Sequence, residues 1–185
     1  SAASWGAAPA AGMTLLSTIT ASNSATVDIE TTFDSTYDDY VIIGSNIKTT
    51  QSANPEFYCR FKIGGSYITG STYSYHSNLS TAVSTAYSGY GYNSQPEITM
   101  SGGLYASGDN VVNFTMRIYD PTNTVSQKNV DWTGSYLGST GANGVVTMFG
   151  VGGNRGTAAL TGVRFYTSSY NITSGTFRLY GITNS

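Results

Sequence analysis

The sequence predicts an all-β protein, an antiparallel β-sandwich of jelly-roll type with an extended N-terminal arm. Three observations predict it. Beyond the first dozen residues the two-residue period is common and the 3.6-residue helical period is hard to find. Turn-forming clusters break the chain at Ser107-Gly108-Asp109-Asn110, Gly138 to Gly144 and Gly152-Gly153-Asn154-Arg155-Gly156. The runs between such clusters recur at a spacing of roughly 8 to 12 residues or somewhat more, about ten in all, which is the pattern of a sandwich or jelly roll.

The strands follow in order. Thr14 to Thr20 reads as the first. Asp39-Tyr40-Val41-Ile42-Ile43-Gly44 is a short continuous apolar run, as a buried strand shows. In Phe57 to Ile63 the odd positions Phe57, Cys59, Phe61 and Ile63 share one face, opposite Tyr58, Arg60 and Lys62. Gly64-Gly65 then leads into Ser66-Tyr67-Ile68. Two glycines between alternating runs tolerate the positive φ angles of a type I′ turn, so a hairpin is expected here. Val111 to Tyr119, Val130 to Tyr136, Val145 to Val151, Gly162 to Thr167 and Thr176 to Ile182 complete the set. In Val111 to Tyr119 the residues Val112, Phe114, Met116 and Ile118 line one face. Residues 1–13, rich in Ala and holding Pro9 and Gly12, read as the arm, and residues 14–185 as one sandwich domain.

Composition narrows the function. The 185 residues include 39% apolar and only 10% charged side chains. About 25% charge is ordinary, so this surface relies on Ser, Thr, Asn, Gly and Tyr. Eight Lys plus Arg against ten Asp plus Glu give a net charge of −2, which argues against a strongly basic nucleic-acid binder. No apolar run reaches the roughly 20 residues of a helical membrane span, and no membrane partner is expected. The first residues lack the charged and apolar regions of a secretory signal, so a mature chain or one not exported by that route is expected. The single Cys59 excludes an internal disulfide and a thiolate zinc cluster.

Catalytic constellations are thin. The only histidine, His76, has no nucleophile elbow nearby and reads as a surface residue. Cys59 alternates with Phe57 and Phe61 and reads as a buried, inert thiol. Asp28 with Glu30, and Asp38 with Asp39, are the acid pairs to weigh for glycoside hydrolysis. They read instead as a solvated strand face and the end of a turn. The glycines from Gly152 to Gly156 precede a further strand rather than a helix, so they read as a turn and not a phosphate loop. The triplets Asn78-Leu79-Ser80, Asn113-Phe114-Thr115 and Asn171-Ile172-Thr173 match a glycosylation acceptor and read as chance in so Asn-rich a chain. No enzyme and no cofactor are expected.

Residues 66 to 95 stand apart, with Tyr67, Tyr73, Tyr75, Tyr87, Tyr90 and Tyr92 among Ser, Thr and Gly. So polar a stretch is expected to be a long loop or a pair of polar edge strands, exposed or pressed against a partner. Tyrosines on a polar surface stack on sugars or anchor protein interfaces.

Leu160-Thr161-Gly162-Val163-Arg164-Phe165-Tyr166, and Asn171 through Thr176-Phe177-Arg178-Leu179-Tyr180-Gly181-Ile182, resemble the C-terminal signature of structural proteins of tailed bacteriophages. Trp5-Gly6-Ala7-Ala8-Pro9-Ala10-Ala11-Gly12 is similar to the N-terminal arm of such proteins. The resemblance covers about 30 residues at one end and a dozen at the other, and it brings no catalytic residue. It implies a head decoration (cement) protein on the outer surface of the capsid, with the major capsid protein and a homotrimer of itself as partners. The alternative is a tail-fibre or adhesin module that binds a host surface glycan through Tyr73, Tyr75, Tyr87, Tyr90 and Tyr92. Val163 with Phe165, and Phe177 with Leu179, are expected to pack on the core from two adjacent antiparallel strands. Arg164 and Arg178 would then face a partner or solvent, and Trp5 and Pro9 would anchor the arm.

Overall fold

The structure, a computed structural model, describes residues 12–30, 33–49, 54–81, 87–104, 111–137 and 144–183. The described residues form thirteen strands in two antiparallel sheets. They are β1 (Met13–Ser24), β2 (Thr26–Ile29), β3 (Asp39–Thr49), β4 (Phe57–Ile63), β5 (Ser66–Tyr67), β6 (Tyr73–Thr81) and β7 (Tyr87–Gln95). β8 (Ile98–Thr99), β9 (Val112–Tyr119), β10 (Lys128–Leu137), β11 (Val145–Asn154), β12 (Gly162–Thr167) and β13 (Ile172–Ile182) complete the chain. The larger sheet has the order β1-β13-β3-β9-β10-β11-β6-β7. The smaller runs β2-β12-β4-β5, with β8 also paired to β4.

Alternation decides which side each strand buries. In β9, Val112, Phe114, Met116 and Ile118 are buried, while Thr115 and Tyr119 are exposed. β4 buries Phe57, Cys59 and Phe61 in the same way. The Gly64-Gly65 turn closes β4 onto β5 with Ile63 opposite Ser66, and both glycines have positive φ (55° and 95°), as a type I′ turn requires.

The core centres on Phe165. Its ring packs on Phe57 (centroids 5.8 Å, planes 7° apart), Phe114 (5.1 Å) and Phe177 (5.4 Å). Phe165 comes from β12 in the small sheet and Phe177 from β13 in the large one. The expectation that these two strands lie side by side is therefore corrected. They face each other across the sandwich, so their apolar pairs meet ring to ring rather than as strand neighbours.

Two further expectations change. Gly152 and Gly153 belong to β11, which runs on to Asn154, because a side chain there would strike neighbouring strands. A Cβ on Gly153 would lie 1.9 Å from the Lys128 carbonyl oxygen, and one on Gly152 2.8 Å from Tyr75 Cβ. The tyrosine-rich stretch is the edge pair β6 and β7, and its first strand is core. Tyr73 and Tyr75 are buried, which corrects the expectation that they stand on the surface. Tyr73 accepts a hydrogen bond from the Phe61 N–H (2.7 Å), and Tyr75 donates to Thr99 Oγ1 (2.8 Å). A phenol satisfied in this way lets a strand with a single aliphatic residue, Leu79, contribute to the core.

The buried phenols make a prediction about alkaline pH. Burial is the first cause that raises Tyr40, Tyr73, Tyr75, Tyr136 and Tyr166, with Tyr136 pushed up to about 12. In the unfolded chain a phenol ionises near pH 10. Above that value the folded state holds more protons than the unfolded one, so stability falls as pH rises. The melting temperature is expected to be level in this respect below about pH 10 and to drop steeply above it. The tyrosinate absorption should grow together with loss of β-sheet dichroism. Full titration of the phenols near pH 10 in an intact fold would contradict this.

Candidate functional site

The two sheets differ in width, and that difference builds the site. The small sheet ends at β5 and β8 beside β4, whereas the large sheet continues through β6 to β7. β7 therefore overhangs, and its inward side is left uncovered. Tyr90 lies opposite Ser77 and Tyr92 opposite Tyr75, so both rings emerge on that inward side. They are 44% and 46% exposed. Their planes are 11° apart with centroids separated by 6.5 Å, and the buried Tyr75 ring backs Tyr92 at 5.3 Å.

On the other side of β7 stand Gly89 and Gly91, opposite Asn78 and His76. A Cβ on Gly89 would lie 3.0 Å from Asn78 Oδ1, so glycine leaves room for the polar pair, whose His76 Nδ1 and Asn78 Nδ2 are 3.1 Å apart. The alternation Tyr-Gly-Tyr thus separates an aromatic side from an open one.

The overhang and the β8 edge enclose a cleft of about 440 Å³. Tyr90, Tyr92 and Gln95 line one wall, and Glu56, Tyr58 and Glu97 line the other. Glu97 is neutralised by Arg60 (2.5 Å) and also accepts from the Tyr166 hydroxyl (3.0 Å). Arg60 lies over the Tyr166 ring at 5.0 Å and donates through Nε to the Pro96 carbonyl. Glu56 accepts from the Tyr58 hydroxyl at 2.6 Å. Burial first, then that bond, pushes the Tyr58 phenol well above its usual range, which keeps it a neutral donor.

The other sequence candidates go elsewhere. Arg164 is held by Asp28 through two bonds of 2.7 and 2.6 Å and stacks over Tyr67 at 3.8 Å. The pair lies on the outer side of the small sheet, where the Arg164 side chain is 29% exposed, so the fold holds the guanidinium while it faces outward. Glu30 accepts from Lys62 Nζ (2.7 Å) and Tyr67 (2.9 Å), so Asp28 and Glu30 each have their own cation. Asp39 accepts from Arg117 at 2.5 Å. Cys59 is fully buried, and burial drives its thiol far above the usual range. Arg178 sits on the outer side of β13, opposite Ile43 and Thr18. Tyr87 lies in β7 opposite Ser80, with its side chain outside the described residues, as are Trp5 and Pro9.

The outer side of the large sheet carries a second feature. Val145, Phe149 and Val151 of β11 project there at 51%, 41% and 58% exposure. Across the strands they stand opposite Leu137, Thr133 and Asp131 of β10. The small sheet's outer side is laced by the Arg164–Asp28, Lys62–Glu30 and Arg60–Glu97 pairs, while on the large sheet the Arg117–Asp39 pair and Asp131 lie beside the apolar row. Sequence reasoning missed Glu56, Gln95, Glu97 and the β11 row. The alternation of β11 held the signal for the row, but the cleft depends on which sheet stops first.

Among the described residues no group of three His, Cys, Asp or Glu side chains is placed to hold a metal ion. Comparison with protein-family models, curated proteins and solved structures finds no match for this chain.

Proposed function

We propose that this chain is a non-enzymatic virion structural protein, a decoration (cement) protein that binds the outside of an assembled phage head. The observation that carries the reading is the row Val145, Phe149 and Val151 on the outer side of the large sheet. Large apolar side chains exposed together on one strand are what an interface with another protein uses. The opposite sheet turns its paired charges outward, as a side that meets water does. The strand order also supports the jelly-roll reading. β1-β13-β3-β9 and β2-β12-β4-β8 place successive strands in alternating sheets, and β6–β7 and β10–β11 are hairpins added to the wider sheet.

The mechanism is mass action. A protein that binds across neighbouring capsid subunits contacts only the assembled lattice, and so stabilises it by RT ln(1 + [L]/Kd). A homotrimer would make several such contacts at once and gain avidity. Phe149→Asp places a charge in the row without touching the core. On heads assembled without the protein and then mixed with it, this variant is expected to bind at least about tenfold more weakly, since each 1.4 kcal/mol is a tenfold change. Heads that take up the variant as well as the parent protein, or a parent protein that does not bind heads, would overturn the reading.

A further inference from the structure

We propose that the cleft under the β7 overhang binds a neutral glycan, with a sugar ring packed against Tyr90 and Tyr92 and its hydroxyls bonded to Glu56 and Gln95. This goes beyond attachment to a capsid. It assigns a second, independent binding site to a different side of the molecule, the inward side of β7 rather than the outer side of β11.

The chemistry of the walls selects the ligand. A pyranose has an apolar C–H face and a rim of hydroxyl groups. One wall offers two exposed, nearly parallel aromatic faces. The other offers the carboxylates of Glu56 and Glu97 and the Tyr58 phenol, and the Gln95 amide lies on the same wall as the rings. Aromatic rings fixed on a polar surface suit such a two-sided ligand, since stacking removes apolar area while hydrogen bonds satisfy the rim. An aliphatic ligand would find one aliphatic side chain, Leu79, in the lining.

Charge excludes two competitors. An organic cation would be drawn by the rings and by Glu56. Glu97, however, is already paired with Arg60, and that guanidinium lies beside the same wall. An anion would meet the Glu56 carboxylate, whose partner is the neutral Tyr58 hydroxyl. A neutral polyol meets neither repulsion, and it can donate to the carboxylate oxygens and accept from the second N–H of the Gln95 amide, whose first goes to the Asn93 carbonyl. The volume of about 440 Å³ lies within the roughly 300–1,000 Å³ of small-molecule sites, enough for a short oligosaccharide.

The platform is also set before the ligand arrives. Tyr75 is held by Thr99 and braces Tyr92, and β7 is paired along its length to β6. Bracing by Tyr75 reduces the side-chain freedom that Tyr92 has to lose on binding.

The test uses the full chain. A panel of neutral hexose and N-acetylhexosamine oligosaccharides is titrated by calorimetry and by ligand-observed NMR, with choline chloride and inorganic phosphate as charged probes. At least one neutral oligosaccharide is expected to bind. Tyr90→Ala and Tyr92→Ala should each weaken it by about 3- to 10-fold, the worth of one aromatic contact. Tyr90→Phe should keep most of the affinity, because the ring does the stacking. Phe149→Asp should leave it unchanged, so failure of head binding and failure of glycan binding are read separately. Both rings are exposed, and native dichroism of the alanine variants establishes that they fold. Binding of choline or phosphate in place of every neutral sugar would overturn the proposal. So would silence across the panel, or sugar binding indifferent to both alanine variants.

Discussion

Replacing Phe165 with alanine is expected to lower the unfolding free energy by about 3–5 kcal/mol, the usual cost of truncating a buried aromatic ring. A domain of this kind is held by about 5–15 kcal/mol in total, so the variant should be largely unfolded at moderate urea. The reason is position. Phe165 is fully buried and touches rings from three other strands, Phe57 on β4, Phe114 on β9 and Phe177 on β13. Two of those strands belong to the opposite sheet. Its removal opens a void between the sheets that no neighbour can fill without moving a strand, and loss grows with the residual cavity. The measurement is the urea midpoint at constant m-value. Phe149→Ala is the control: the same change on the exposed side of β11 should shift stability by no more than about 0.5 kcal/mol. Equal shifts for the two variants would contradict the placement of the core.

The strands that alternate apolar and polar side chains were legible from the sequence because burial there is a local pattern. β4, β9 and β12 could be read that way. Sheet membership could not. β12 and β13 have the same pattern whether they are neighbours or face each other, and only long-range pairing decides, as when Arg164 finds Asp28 136 positions away. β6 was half legible. Its Ser and Tyr content suggests a surface edge, yet Tyr73 and Tyr75 enter the core because the Phe61 N–H and the Thr99 hydroxyl are there to meet their phenols. Those partners come from β4 and β8 and cannot be read within the strand. Tyr90 and Tyr92 were identified as surface rings, and the structure leaves them exposed. Their opposite wall, Glu56 and Glu97, was invisible for the same reason as the sheet order: it is set by where the small sheet ends. Glycine was misread at 152 and 153, where composition suggests a turn and close packing between strands keeps the backbone extended.

The second large effect is expected at Gly150, and it is a clash rather than a void. A Cβ there would lie 2.2 Å from Trp132 Cζ2, 2.6 Å from Cε2 and 2.7 Å from the His76 carbonyl oxygen. Trp132 faces Gly150 across the β10–β11 pair, and its indole N–H donates to the Met100 carbonyl (3.2 Å), so the ring cannot retreat without losing that bond. Gly150→Val should therefore cost about 1–3 kcal/mol or more, as overpacking of a dense core does. Trp132→Ala alone should cost about 3–5 kcal/mol. The two should not add. With the indole gone the valine meets empty space on that side, and the double variant should recover about 0.5–3 kcal/mol relative to the sum of the single costs. The His76 carbonyl remains in place, so recovery is expected to be incomplete. Strict additivity in the double-mutant cycle would mean that the ring is not what Gly150 makes room for. The backbone of β6 would then be the controlling contact, and the edge pair that carries the tyrosine cleft would rest directly on that glycine.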